Sequence, residues 1–310
     1  MVSIRKQRRV LRTRRPDSTK TRPDYWQRGT VLAGIFSVLL VGAGLILTND
    51  FNRDQLALQQ KTAQEQQDLA LKGQRADRFV RAVDQLGQEG KDKLGVRLGG
   101  IYALEALMKE FQADENMVIE VLCAFVRSHA PWNADADSIT SATPDVRSAM
   151  TVLGRRPDPD AHIALDFTNT MLGLTRFNLP GASFRGVDLS ISNFSDAVLP
   201  RADLGNADFT NSFLDQADLR GANLEGVVLH STSLQRAKLS GANLRDVDFT
   251  LADLTGADLT GADLTSARTK SLTTAQLGCA KVDAATRLPA GVGLPAADAW
   301  RQKKCAVNAD

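Results

Sequence analysis

Histidine and cysteine are nearly missing from this chain, with three of each in 310 residues. His129, His162 and His230 lie far apart, and no H-E-x-x-H, cysteine pair or acid cluster with metal-ligand spacing occurs. No metal site is expected. Cys123, Cys279 and Cys305 form no C-x-x-C spacing, and an odd, sparse count is not a disulfide framework. Cys279 and Cys305 could pair outside the cytoplasm, but isolated, unreactive thiols are the expectation. A G-x-S-x-G elbow, a Walker loop and a dinucleotide fingerprint are also missing. The lone pair Gly99-Gly100 sits inside a helical pattern and reads as a packing device. These absences argue against an enzyme and against a bound cofactor.

What is present begins with charge. Residues 1–29 hold ten Lys or Arg against Asp17 and Asp24, a balance of +8. The whole chain carries +2, so the remainder carries −6. The arm 1–29 has no apolar periodicity and is expected to be disordered and cytoplasmic. It ends where Thr30 to Thr48 runs for nineteen residues without a charge, long enough to cross a bilayer as a helix. An uncleaved, single-pass signal anchor is the expectation. The positive-inside rule puts the N-terminus in the cytoplasm and the rest outside. Arg8, Arg9, Arg14 and Arg15 would then meet the anionic lipid of the inner leaflet. Nucleic acid is not the expected partner of this arm.

Residues 49–76 are polar, glutamine-rich and free of proline, which predicts a juxtamembrane helical spacer. Residues 77–154 then show apolar faces at helical spacing. Phe79, Val83 and Leu86 precede Gly87; Leu94, Leu98, Ile101, Leu104 and Met108 follow; Val118, Leu122, Phe125 and Val126 form a third stripe. Thr143 is placed to cap a fourth helix with Pro144 at its first position, burying Val146, Met150 and Leu153. These patterns predict a small α-helical domain. Two glycines inside the second helix predict a close helix contact.

The longest pattern is a repeat. From Leu179 to Leu264 a Leu or Phe recurs every fifth position, eighteen times without a break. Two residues before each stands a small or β-branched residue. Neither a helix nor a strand has a period of five, so the chain must turn a corner every five residues. A weaker period of twenty sorts Val187, Val227 and Val247 together, and Ser192, Ser212 and Thr232. Twenty residues per turn means four sides of five, with coils stacked roughly 4.8 Å apart. Leu179, Leu199, Leu219, Leu239 and Leu259 form one interior column, and Phe184, Phe194, Phe209 and Phe249 also point inward. Residues 155–268 are expected to make this solenoid. Its first coil is irregular, with Phe167, Leu172 and Phe177 at spacings of five. Residues 269–310 are expected to form a cap and tail, with a short helix near Thr273 to Leu277 and then an extended wrap.

The consensus in "ADLRGANLEG" and "ADLTGADLTG" resembles the pentapeptide-repeat family, whose fold is a right-handed quadrilateral β-helix. The stretches "VRLGGIYALEAL" and "VIEVLCAFVRSHAP" resemble the helical region that precedes the repeats in an actinobacterial, membrane-associated group of that family. The resemblance implies a solenoid preceded by a transmembrane helix and a helical domain. Some soluble members resemble B-form DNA and act on DNA gyrase, which makes gyrase an alternative partner. A DNA mimic needs unbroken rows of negative charge. Sorted by twenty, the residues before the centres read Asp188, Asp208, Val228, Asp248; Asn193, Phe213, Ser233, Asp253; Val198, Asp218, Lys238, Asp258; and Ser183, Asp203, Asn223, Asn243, Asp263. Every row is interrupted. The favoured expectation is a membrane-anchored scaffold that presents a rigid β-helix to an unknown protein partner. A homo-oligomer is compatible with it.

Overall fold

A computed structural model describes residues 25–133, 139–156, 165–268, 272 and 274–293. The arginines proposed to meet lipid, Arg8, Arg9, Arg14 and Arg15, lie outside that set. The chain divides into two compact units, 1–71 and 72–310.

The described part of the first unit is helical. It belongs to α1, Tyr25–Leu86, a single helix of 62 residues. No proline interrupts it, so nothing removes a backbone donor or forces a kink, and it continues past residues 48 and 76. Leu39, Leu40, Val41, Ile46 and Leu47 are exposed along it. It is one helix long and apolar enough to cross a membrane.

In the second unit the last turns of α1 pack with α2 (Leu94–Glu110), α3 (Glu115–His129) and α4 (Pro144–Gly154). Leu86, Ile101, Leu104, Leu122, Val126, Met150 and Leu153 are buried among them. Gly100 sets the approach of α2 to α1: a Cβ there would stand 2.6 Å from the Ala82 carbonyl oxygen and 3.0 Å from the Leu86 nitrogen. A buried ion pair fixes the loops. Arg97 Nε donates to Asp145 at 2.6 Å, and its Nη1 donates to the carbonyls of Gln88 and Gly90, both at 2.8 Å. Asp145 is wholly buried. Burial pushes its pKa up, but hydrogen bonds from Thr143, Arg97 and the Val146 N–H outweigh this and hold it below the usual carboxylate range. Thr143 does precede α4 in extended backbone, but its side chain makes no cap bond to the helix. Asp145 takes that hydroxyl instead.

The repeats form a β-helix solenoid. Parallel bridges join residues twenty apart, as in Ser183 to Asp203, Asp203 to Asn223, Asn223 to Asn243 and Asn243 to Asp263. The Leu219 N–H donates to Lys238 O at 2.8 Å, and the Asp218 N–H donates back to Ala197 O at 2.8 Å. Each coil is thus tied to the coils on both sides of it. With a corner every five residues, only one residue per side bridges, so the sides are isolated bridges rather than strands of several residues.

The centres of the sides are buried, including Leu179, Leu199, Leu219, Leu239, Leu259, Phe184, Phe194, Phe209 and Phe249. Phe194 and Phe209 meet edge to face at 5.6 Å, a favoured aromatic geometry. Buried hydroxyls are satisfied: Ser212 Oγ donates to Leu189 O and Thr232 Oγ1 to Phe209 O.

The register of the first coil differs from the spacing Phe167, Leu172, Phe177. Phe167 is followed by the corner Asn169 (φ 58°), but the next corner is Arg176, seven residues on. The inward centre of that side is Leu174. Leu172 and Phe177 take the position two before a centre, which Ala usually fills. The extra length lets Thr170 bridge antiparallel to Pro131, while Trp132 N–H donates to Asn169 O.

The α-helical domain covers this end. The Ala142 N–H donates to Gly173 O and the Ser183 N–H to Gly154 O. Gly154 lies so close that a Cβ would meet Leu179 Cδ2 at 2.6 Å. An uncovered β-helix end would present free ladder groups.

At the other end α5 (Thr274–Leu277) lies where a short helix is expected, but no extended wrap follows directly. Lys281 bridges Asp258 and Arg287 bridges Asp263, so the ladder continues through a partial coil. Gln276 Nε2 donates to Phe249 O and Ala252 O at 3.1 and 2.9 Å. Cys279 is disulfide-bonded, against the expectation of isolated thiols, and its carbonyl accepts the Gly256 N–H at 2.7 Å. Cys305 lies outside the described residues. Cys123 is free and buried, and burial pushes its thiol up to about 11.

Candidate interaction surface

The residues left on the outside of the solenoid follow from its geometry. In each side of five, the residue two before the centre and the centre itself point inward. The residue before the centre bridges to its neighbours, and the residue after it begins the corner. The last residue turns the corner with positive φ, as Arg201, Asn206, Asn211 and Gly221 do. Stacking every twenty residues aligns these outer positions into four faces. Face 1 carries Ser183, Asp203, Asn223, Asn243 and Asp263; face 2 carries Asp188, Asp208, Val228 and Asp248; face 3 carries Asn193, Phe213, Ser233 and Asp253; face 4 carries Asn178, Val198, Asp218, Lys238 and Asp258.

The aspartates in these columns have a local task first. Asp188, Asp208, Asp248, Asp253, Asp258 and Asp263 each accept the N–H two residues ahead. This side-chain turn helps the backbone round the corner. On face 1 the amides also stack: Asn223 Nδ2 donates to Asp203 at 2.8 Å and Asn243 Nδ2 to Asn223 at 3.0 Å. Bases neutralise several acids. Arg220 forks onto Asp218 at 2.6 and 2.8 Å, Arg245 reaches Asp263 at 2.8 Å, Lys281 reaches Asp258 at 3.1 Å and Arg268 reaches Asp248 at 3.1 Å. The Arg220 hydrogen bonds hold Asp218 below the usual carboxylate range. Face 4 thus alternates in sign through Asp218, Lys238 and Asp258.

Of the residues singled out beforehand, the Leu and Phe centres are interior and offer no surface. The residues before the centres are brought into columns. The corner column was not sorted by the same period, although two residues in it, Ile191 and Leu251, stand where the other corners have Gly or a polar residue. That substitution is visible in the repeat and is the signal that would have found them.

Residues 174–205, 192–226 and 232–268 match the family model for pentapeptide repeats, in eight copies. The chain is a pentapeptide-repeat protein. Solved structures similar to it include a pentapeptide-repeat protein of the cyanobacterium Cyanothece 51142, 27% identical over 38% of this chain and 64% of that one, with a TM-score of 0.28. A second, from the thylakoid lumen of Arabidopsis thaliana, is 43% identical over 27% and 54%, with a TM-score of 0.20. HetL of Nostoc sp. strain PCC 7120, involved in heterocyst differentiation regulation, is 33% identical over 31% and 39%, with a TM-score of 0.23. The pentapeptide-repeat chain therefore spans less than two thirds of the length of each. At these TM-scores the family assignment rests on the repeat match and the twenty-residue ladder. No curated protein matches the chain.

Proposed function

We propose that this pentapeptide-repeat protein is a membrane-anchored, single-pass, non-enzymatic interaction protein whose rigid β-helix is a platform for a protein partner. The observation that carries the reading is the stack of four outer faces, in which backbone pairing at every coil fixes the spacing of the side chains. Such solenoids offer extended surfaces. The apolar run Thr30 to Thr48 in α1 supports the anchor. Arg8, Arg9, Arg14 and Arg15 hold the inner leaflet, each contributing about 1 kcal/mol near an anionic surface.

The test compares covalent crosslinking in cells by the full chain and by a chain lacking 165–293. A protein captured reproducibly only by the full chain supports the platform. Turnover of any substrate that one polar substitution abolishes would sink it. Charge-neutralised variants of the four arginines that keep the same membrane residence would remove the lipid role.

The alternative, a gyrase-directed DNA mimic, is disfavoured by Lys238 between Asp218 and Asp258 and by Val228 between Asp208 and Asp248. The full chain in detergent at high excess is expected to leave gyrase supercoiling unchanged. Inhibition would favour the mimic.

A further inference from the structure

We propose that the edge between faces 2 and 3 is the docking edge of this platform, and that its occupant is a protein with an apolar groove bordered by Lys or Arg. The proposal rests on the platform reading and names its surface and partner chemistry.

Corner residues of the solenoid have positive φ, which disfavours branched side chains and suits Gly or Asn. Among the described corners all are Gly, Asn, Asp, Arg, Gln or Ser except two, Ile191 (φ 52°) and Leu251 (φ 57°). These are sixty residues apart, three coils along the same edge. Exposure points to that edge independently. From residue 130 onward the large apolar side chains exposed among the described residues are Trp132, Phe213 and Leu251, at 49%, 45% and 74%. Leu251 is on the edge itself. Phe213 lies on face 3, two residues past the edge corner Asn211. Trp132 donates its N–H to Asn169 O, and Asn169 is the corner of this edge one coil before Ile191. The described corners of the other three edges carry Gly or polar residues. Neither corner geometry nor core packing selects these apolar groups, so they are retained at a conformational cost that a covered state would offset.

Charge then narrows the occupant. Asp188 and Asp208 bridge each other on face 2, and neither has an ion-pair partner among the described residues. Asp215 follows Phe213 on face 3. The one Lys or Arg on the described part of face 2 is Arg268, committed to Asp248 at 3.1 Å. On face 3 the bases are Arg176 and Arg236, both at the far corner. An anionic rim beside apolar side chains repels a second copy, an anionic bilayer and nucleic acid, and it attracts a cationic groove.

The experiment uses the full chain in zwitterionic nanodiscs, with a fluorescent amphipathic helix of leucine and lysine as the probe and empty discs as the blank. Saturable binding is expected, weakened at least tenfold by Leu251→Asn combined with Phe213→Ser, and several-fold by Asp188→Asn with Asp208→Asn. Arg201→Asn on another edge should leave it unchanged, and a leucine–glutamate helix should not bind. Asn suits positive φ, so Leu251→Asn should melt at the wild-type temperature or higher. Equal binding by all variants overturns the proposal, as does a melt lowered by several degrees in Leu251→Asn, which would make Leu251 structural. A wild-type dimer in sedimentation that Leu251→Asn dissolves also overturns it, since the occupant would be a second copy. To separate the edge from the platform, a photoreactive side chain is placed at Leu251 or at Gly241 in cells. Crosslinks to protein at Gly241 alone overturn the edge and leave the platform reading standing; crosslinks at neither overturn both.

Discussion

Asp145 shows how one side chain can hold several elements. It is fully buried, yet its pKa is lowered because Thr143, Arg97 and the Val146 N–H outweigh its desolvation. Asp218 and Asp258 are lowered as well. For Asp218 the Arg220 hydrogen bonds are the largest effect; for Asp258 burial opposes, and hydrogen bonds from Thr260 and Lys281 prevail. A carboxyl whose folded pKa lies below its unfolded value adds stability that is complete above about pH 4 and is lost as pH falls through the folded value. The melting temperature should therefore hold steady from about pH 7 to 5 and drop on further acidification. Asp145→Asn should flatten part of that acid slope. It should also cost about 3–5 kcal/mol near neutrality, because it leaves the Arg97 guanidinium buried without a counter-charge. A denaturant series at several pH values checks both. Leu219→Asp is the corresponding probe of the solenoid, since Leu219 has no exposed surface. An unpaired charge in that column should abolish cooperative unfolding of the coils, and a normal melt would mean the interior is misplaced.

At the scale of elements, contact between helices is set by backbone proximity. Gly100→Ala would press a methyl group against the Ala82 carbonyl oxygen, 2.6 Å from its ideal position. Backbone cannot swing aside like a flexible side chain, so a loss of about 1–3 kcal/mol is expected, whereas Gly95→Ala, with open space around it, should be neutral or stabilising. Urea midpoints of the two variants separate the cases. The Gly99-Gly100 contact was legible because glycines inside an apolar helix pattern have few other uses. The coil was legible for a comparable reason: a period of five at every centre and of twenty in the smaller residues leaves one geometry. The first coil was not. Phe167, Leu172, Leu174 and Phe177 are all apolar, and hydrophobicity cannot tell a centre from the residue two before it. Only the pairing of Thr170 with Pro131 decides the register. The apolar edge was obscured in the same way, since Leu251 reads in the chain like any other leucine until its φ of 57° places it at a corner.

For the whole molecule, the question that limits every partner is which side of the membrane holds the solenoid, and two unrelated features bear on it. The +8 balance of residues 1–29 favours an N-terminus in the cytoplasm. The disulfide at Cys279 favours an oxidising compartment for the C-terminal cap. No motif announced that bond, because spacing alone does not show that two cysteines meet. The remaining described cysteine, Cys123, is buried with its thiol pushed up to about 11, so it carries almost no reactive thiolate at neutral pH. Cys279 therefore reports topology with little background. In intact cells a membrane-impermeant maleimide should leave the chain unlabelled. It should label the wild type after an impermeant phosphine reductant, and label Cys279→Ser less. Labelling only after the membrane is permeabilised would place the solenoid in the cytoplasm and reverse the assigned orientation. The bond also clasps the end of the ladder, where Cys279 O accepts the Gly256 N–H. Its loss in Cys279→Ser should lower stability by about 2–4 kcal/mol, with faster hydrogen exchange at Gly256 and Leu259 than at Leu199. Uniform exchange along the solenoid would mean that the clasp does not hold the end.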